Sequence, residues 1–407
     1  MTTAVDTPRP ARVLPVIVLS QFAGTSLWFA GNALLPDLQR QFALGEQAVA
    51  AVTSAVQLGF IAGTLVFALL NLADRFHARA VFLASALLGA GANASMLVLP
   101  QLEAPYFALL ALRFVTGFFL AGIYPVGMKI AASWYRQGLG GALGFLVGAL
   151  VLGTALPHLV RGFGGGLPWQ SVSITLSLLA AAGGLLMYAL VPEGPHLAKA
   201  ARFDPGAVVR AFGSPAFRAS ASGYFGHQWE LYTLWAFVPI LLSGYGAMHR
   251  QVIDVSFWSF IIIAAGALGC VGGGQLSRFV GSARVAFGQL SLSGLCCLLS
   301  PLAFTLPASW FLAFMVLWGI VVVGDSPQFS ALNAATAPRE FVGSALTIVN
   351  CIGFAITVVS VQVTTWLAQR LPMEWWFVPV AVGPALGLYA LRRLVRRKDV
   401  KAAVPRR

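Results

Sequence analysis

The chain has 407 residues, of which 58% are hydrophobic and only 10% are charged, and its mean hydropathy is +0.81. Soluble domains carry about 25% charged residues, so this composition excludes a water-soluble globular protein. The net charge of +13 is compatible with nucleic-acid binding, but the basic residues form short clusters between apolar runs, as membrane orientation requires. We therefore expect a lipid bilayer as partner and no nucleic acid.

Apolar runs long enough to cross a bilayer, which takes about 20 residues each, follow one another along the chain. We predict an all-α polytopic membrane protein with twelve transmembrane helices in two pseudo-symmetric six-helix bundles. The first run is too long for a cleavable signal peptide, and the runs are too continuous for the strands of a β-barrel. The predicted spans are 13–36, 48–73, 79–100, 104–133, 139–160, 169–191, 218–243, 253–276, 283–305, 308–333, 342–367 and 374–393.

Lysine and arginine are distributed unequally between the two ends of these spans. With both termini in the cytoplasm, 20 of them lie in inside loops and tails and four lie outside. The positive-inside rule then predicts this orientation, in a bacterial inner membrane. We divide the chain into an N-terminal half (1–191), a cytoplasmic linker (192–217), a C-terminal half (218–393) and a basic cytoplasmic tail (394–407). The tail either contacts anionic lipid or serves as a topology signal alone.

The two halves share glycines, prolines and loop residues at an offset close to half the chain length. Several such pairs in register, at matching positions in the topology, indicate an internal duplication. The pairs, 202 to 204 residues apart, are Leu72 with Leu276, Arg113-x-x-x-Gly117 with Met315-x-x-x-Gly319, Tyr124-Pro125 with Ser326-Pro327, and Gly141 with Gly343.

The loop after the second span resembles the motif G-x-L-a-D-R-x-G-R-R/K of the major facilitator superfamily, and the chain resembles that family over its full length. Leu70 and His77 replace the two glycines of the motif, and the fifth-helix antiporter motif is absent in its usual form. The matching residues are Leu72, Ala73, Asp74, Arg75 and Arg79, with Arg113 matching the arginine of the fourth-helix motif. The resemblance implies a secondary transporter whose first, fourth, seventh and tenth helices line a central cavity.

Asp74, Arg75 and Arg79 suit a conformational latch. An acid at a helix end can pair with arginines and dock on a neighbouring helix N-terminus, and such contacts are weak enough to break reversibly. The alternative is a solvated turn. In either case we expect these residues to control motion and not to touch the substrate.

Ionisable side chains within a membrane span are costly and therefore candidates for function. Of thirteen acids, only Glu230 and Asp325 lie well inside predicted spans. His227 precedes Glu230 by three residues and so shares its helix face, where the two could share a proton. Arg113 lies deep in the fourth span. We assign these four residues to proton coupling; the alternatives are an Arg113 that binds helix backbone, a purely structural His227–Glu230 hydrogen bond, and an Asp325 held by the kinked backbone or Arg339.

Polar residues in the first span recur at the spacing i, i+4, i+7, i+11, which predicts one polar stripe facing the bundle interior. Similar isolated polar or aromatic residues occur in the other spans expected to line the cavity. The predicted substrate cavity comprises Gln21, Thr25, Trp28, Asn32, Gln57, Arg113, Tyr124, Tyr224, Tyr232 and Asn350.

These patterns predict a monomeric secondary active transporter that moves a small solute by alternating access. We expect symport driven by protons, with a small organic or inorganic anion as substrate; the alternative is proton-driven efflux of amphipathic or toxic compounds. The sequence lacks the P-loop pattern GxxxxGK[ST] and the enzyme patterns HExxH and GxSxG. We therefore expect no enzymatic activity, no cofactor and no metal site. The remote alternatives are a membrane enzyme and a non-transporting membrane sensor, although the chain leaves no room for the effector domain of a sensor.

Overall fold

The computed structural model describes residues 10–135, 139–163, 166–196, 204, 206–338, 340 and 342–396. All regular secondary structure in these residues is helical, and twelve segments are long and apolar enough to cross a membrane. The predicted all-α fold with twelve spans is thus confirmed. Arg339, much of the predicted linker (197–203 and 205) and most of the predicted basic tail (397–407) lie outside the described residues.

Most spans consist of one uninterrupted α-helix. These are the second (Ala48–Leu69), fifth (Leu139–Gly162), sixth (Trp169–Leu190), seventh (Pro215–His249), eighth (Val255–Val280), ninth (Ser282–Ala303) and eleventh (Val342–Ala368). The third span, Ala78–Ala94, continues as a 3-10 helix, Ser95–Gln101. The twelfth, Val382–Arg396, follows the short 3-10 segments Met373–Trp375 and Pro379–Ala381. Two short helices, Leu72–Arg75 and Ala207–Gly213, lie in the connections after the second and sixth spans.

Three spans are broken near their middle. Pro125 and Pro327 lie in the first turn of the later helix of the fourth and tenth spans, where a residue without an N–H group is tolerated. The tenth helix is interrupted at Asp325, where the sequence predicts a kink, whereas the break in the first span was not predicted. The helix pairs are Val13–Thr25 and Ala30–Phe42 in the first span, Pro105–Leu120 and Tyr124–Ala132 in the fourth, and Ala308–Gly324 and Ser326–Thr336 in the tenth.

The packing of the spans repeats between the two halves. The first span packs on the fifth and sixth, the second on the fourth, and the third on the sixth. In the C-terminal half the seventh span packs on the eleventh and twelfth, the eighth on the tenth, and the ninth on the twelfth. The halves meet where the fifth span packs on the eighth and the second on the eleventh. Exchanging each span with the one six places later preserves all these contacts, as two pseudo-symmetric bundles require.

Glycines at equivalent positions of the two halves lie at close contacts between these helices. A Cβ atom on Gly117 would lie 2.0 Å from the carbonyl oxygen of Val56, and one on Gly319 would lie 2.0 Å from that of Ile262. Neither glycine can therefore carry a side chain without separating its helix from the neighbouring one. The predicted 202-residue repeat thus corresponds to a repeated contact between the second and fourth spans and between the eighth and tenth.

Candidate functional site

Arg113 is completely buried and binds the break in the first span. Its Nη2 atom donates to the carbonyl oxygens of Leu27 (2.8 Å) and Trp28 (2.6 Å), and its Nη1 atom lies 3.3 Å from Oδ1 of Asn93 in the third span. A helix break leaves carbonyl groups without their usual partners, and the guanidinium group supplies donors for two of them. These partners all belong to the N-terminal half, so the observed hydrogen bonds of Arg113 hold the first-span break rather than join the two halves.

The C-terminal half has no equivalent of this arrangement among its described residues. Met315 replaces Arg113 and is itself fully buried, and the seventh span continues as one helix, Pro215–His249, where the first span is broken. The arginine and the helix break therefore occur together in one half and are absent together from the other.

Glu230 is buried within the C-terminal half, where three donors surround its carboxyl group. The Oγ atom of Ser293 lies 2.9 Å from Oε2, and Nε1 of Trp318 lies 2.8 Å from Oε1. The Sγ atom of Cys297 lies 3.4 Å from the same Oε1 atom. The carboxyl group thus faces the ninth and tenth spans rather than the opposite half of the protein.

His227 is paired with Asp325. The sequence spacing had suggested Glu230 as its partner. The Nδ1 atom of His227 lies 2.7 Å from Oδ1 of Asp325, with side-chain exposures of 1% and 0%. Asp325 occupies the break of the tenth span, which places its carboxylate beside the neighbouring seventh span. The i, i+3 spacing on one helix could not reveal this partner, because the partner comes from another span.

Aromatic rings from both halves meet at the centre of the protein. Trp28 lies 4.8 Å from Phe60 and 5.5 Å from Phe354 between ring centroids, and 5.9 Å from Tyr232. The first, second and fourth spans of one half and the seventh and eleventh of the other contribute these rings. We call the group the central aromatic cluster; its members are Trp28, Phe29, Phe60, Tyr124, Tyr232, Trp235 and Phe354.

Amide and hydroxyl groups lie next to this cluster. Asn32, one helical turn beyond Trp28, donates to Oγ1 of Thr53 over 2.7 Å. Gln57 is buried one turn before Phe60, and its amide atoms have no hydrogen-bond partner among the described residues. In the other half, the hydroxyl of Tyr224 donates to Oδ1 of Asn350 over 2.8 Å and accepts from Nε2 of Gln228 over 2.5 Å.

Two residues of the predicted polar stripe do not join this site. The side-chain amide of Gln21 packs directly against Gly127, and the hydroxyl of Thr25 packs directly against Gly153. In both places the missing side chain of the glycine leaves the room for this contact. Thr25 also donates to the carbonyl oxygen of Gln21 over 2.8 Å. Both residues are therefore turned into the N-terminal half. The stripe was predicted on a continuous helix, and the break after Thr25 changes the direction in which later residues point.

The residues assigned to the latch make contacts within the N-terminal half. Lys129 in the fourth span donates to a carboxylate oxygen of Asp74 and, over 2.9 Å, to the carbonyl oxygen of Ala73. Arg79 lies 5.2 Å from the ring centroid of Tyr188 in the sixth span, and Arg75 is exposed. The loop motif is thus tied to the fourth and sixth spans.

Sequence reasoning missed several residues of this arrangement. Phe60 and Phe354 are apolar residues in apolar helices, so nothing in the sequence distinguishes them from lipid-facing phenylalanines. Asn93 and Ser293 were detectable in principle, because each places a polar side chain within an apolar run. No group of three or more His, Cys, Asp or Glu side chains in the described part of the chain could hold a metal ion.

Comparison with known proteins places this geometry in context. The profile of the Major Facilitator Superfamily matches residues 17–361, whereas no curated protein matches the sequence. The solved structure of the MFS proton:xylose symporter XylE, bound to 6-bromo-6-deoxy-D-glucose, is similar with a TM-score of 0.74. The match covers 95% of this chain and 97% of XylE at 14% sequence identity, a level at which the likeness shows the fold alone.

Proposed function

Because this chain belongs to the major facilitator superfamily, we propose that it is a proton-coupled secondary active transporter of a small solute. The two bundles rock about the centre and expose it to each side of the membrane in turn. The contacts between the fifth and eighth spans and between the second and eleventh are the surfaces along which the halves move.

The observation that carries proton coupling is the buried carboxyl group of Glu230. A carboxyl group in apolar surroundings favours its neutral form, whereas hydrogen-bond donors favour the carboxylate. Glu230 has both, since it is 1% exposed and is surrounded by Ser293, Cys297 and Trp318. Such a group can change its protonation state during a transport cycle. The buried His227–Asp325 pair is a second candidate in the same half, and XylE, which has the same fold, is described as a proton symporter.

Arg113 has a different role in this proposal from the one its position in the sequence suggested. Its guanidinium group is occupied by two carbonyl oxygens and Asn93, so we assign it to holding the first-span break. This removes the main support for an anionic substrate. The alternative of exporting amphipathic compounds is favoured by the aromatic rings at the centre.

The cellular setting of the proposal follows from charge and hydropathy. The chain is an integral multi-pass membrane protein. The excess of lysine and arginine at the ends that carry the termini supports a cytoplasmic location for both of them in a bacterial inner membrane. A monomer is the proposed unit, with the basic tail on anionic lipid and residues 192–217 as the linker between halves.

The test is a solute screen on the purified chain in proteoliposomes that contain a pH-sensitive dye. Addition of a transported solute is expected to change the internal pH in the absence of any imposed gradient. Imposing a pH gradient is expected to drive that solute to accumulate on one side. A transported solute that moves no protons and ignores the gradient would contradict proton coupling.

A further inference from the structure

The centre of the protein is closed by stacked rings from opposite halves. Trp28 and Phe354 are inclined by only 25° and lie 5.5 Å apart between centroids. Tyr232, at 5.9 Å from Trp28, is also inclined by only 32°. If the halves separate during transport, these surfaces part and leave a slot with an aromatic wall on each side.

Unpaired polar atoms surround the same slot. Within the described residues, the indole nitrogens of Trp28 and Trp235, both amide atoms of Gln57 and the Oδ1 atom of Asn32 are buried without a hydrogen-bond partner. Leaving a buried polar group unpaired costs about 1–3 kcal/mol, and such groups are rare in folded proteins. They include donors and acceptors, and all belong to uncharged side chains.

The buried charged groups make their contacts within their own halves, although the Nε atom of Arg113 and the Oδ2 atom of Asp325 have no hydrogen-bond partner among the described residues. Arg113, Glu230 and Asp325 are the fully buried Arg, Lys, Asp or Glu side chains in the described part of the chain. Each has its partners inside its own half. An ion that entered the slot would lose its hydration without gaining an opposite charge, which is strongly unfavourable.

We propose that the central aromatic cluster binds an uncharged, planar aromatic solute that carries hydrogen-bonding groups at its edge. The ring inserts between Trp28 and Phe354 and replaces the stacking that the two side chains make with each other in the closed state. Its polar edge binds the indole and amide atoms that are unpaired in the closed state. This inference rests on the proposed transport function and specifies its substrate class.

The experiment uses four small probes of matched shape and different charge. Benzamide is uncharged and aromatic, benzoate is its anionic counterpart, benzamidine is its cationic counterpart, and cyclohexanecarboxamide is uncharged but not aromatic. Binding to the full chain in detergent is measured by thermal stabilisation and by quenching of tryptophan fluorescence. For ligands of this size we expect about millimolar affinity for benzamide, and at least about tenfold weaker binding of the two ions and of the cyclohexane compound.

Two variants locate the binding. Trp28→Leu and Phe354→Leu are expected to weaken benzamide binding by about tenfold, since each removes one stacking partner. The matched control is Trp310→Leu, because Trp310 is 68% exposed on the surface of the bundle and its replacement should leave binding unchanged. Circular dichroism of each variant verifies that it is folded.

Three results would overturn the inference: equal or tighter binding of benzoate or benzamidine, preferential binding of xylose, or no binding of benzamide up to its solubility limit. These are distinct from a failure of the proposed function. Benzamide binding without solute-evoked proton movement would contradict proton-coupled transport and leave the binding site standing. Proton-coupled transport of an ionic solute would support the proposed function and contradict the inferred substrate class.

Discussion

The imidazole Nδ1 atom of His227 lies 2.7 Å from the carboxylate Oδ1 atom of Asp325, and this contact joins the middle of the seventh span to the break of the tenth. Removing one member of a buried pair costs more than removing both, because the remaining group is left without its partner. We expect Asp325→Asn and His227→Gln each to lower the unfolding temperature. The double variant should be more stable than the sum of the two effects predicts, with a coupling energy of about 1–3 kcal/mol. Additive effects in thermal unfolding would show that the two side chains are independent.

Arg113 is expected to act through the first-span break. A lysine at this position has one ammonium group and cannot reproduce the donors that reach Leu27, Trp28 and Asn93. Arg113→Lys should therefore destabilise the protein by about 1.5–3 kcal/mol for each lost hydrogen bond, while the folded fraction still moves protons in response to solute. Arg12→Lys, at an exposed position before the first span, serves as the control. Normal stability combined with abolished proton movement would instead indicate a direct role in transport.

The repeated glycine contacts predict matching defects in the two halves. Gly117→Ala and Gly319→Ala each place a methyl group 2.0 Å from a backbone carbonyl oxygen, so both should reduce the amount of folded protein and its unfolding temperature. Gly144→Ala and Gly288→Ala are the controls, since nothing lies within 4 Å of a Cβ atom at either position. Expression level and size-exclusion profile measure the effect. Equal behaviour of all four variants would mean that these helices tolerate separation.

We expect the contact between Lys129 and Asp74 to affect the rate of the transport cycle more than the stability of the protein. Their side chains are 25% and 23% exposed, and partly exposed ion pairs contribute about 1 kcal/mol or less. We expect Asp74→Asn to change the unfolding temperature little but to alter the rate of solute-evoked proton movement. Glu103→Gln, which removes an exposed acid in another loop, is the control. A rate equal to that of the unchanged protein would argue for a solvated turn.

Hydropathy and charge were sufficient to predict the membrane fold, because a bilayer imposes one length and one polarity on every span. The repeat was also predictable, since Gly117 and Gly319 keep the same role in both halves. The break after Thr25 was not, because the sequence there contains no proline; the carbonyl groups it exposes are satisfied by Arg113 from a distant span.

The candidate site was predicted only in part. Trp28, Tyr124 and Tyr232 do meet at the centre, and Asn32 and Gln57 lie beside them. Partners from other spans could not be inferred, however. Which acid His227 contacts, and what surrounds Glu230, depend on helix rotation, and one sequence contains no measure of that rotation.

Proton coupling through Glu230 is tested most directly by Glu230→Gln in proteoliposomes loaded with a pH-sensitive dye. Glutamine keeps the size of the side chain: its amide oxygen can accept from Nε1 of Trp318 and its NH2 group can donate to the hydroxyl oxygen of Ser293, but it cannot carry the proton. With a solute that evokes proton movement in the unchanged protein, we expect the variant to bind that solute and to move no protons with it. Proton movement at an unchanged rate in the Glu230→Gln variant would contradict the proposed coupling site.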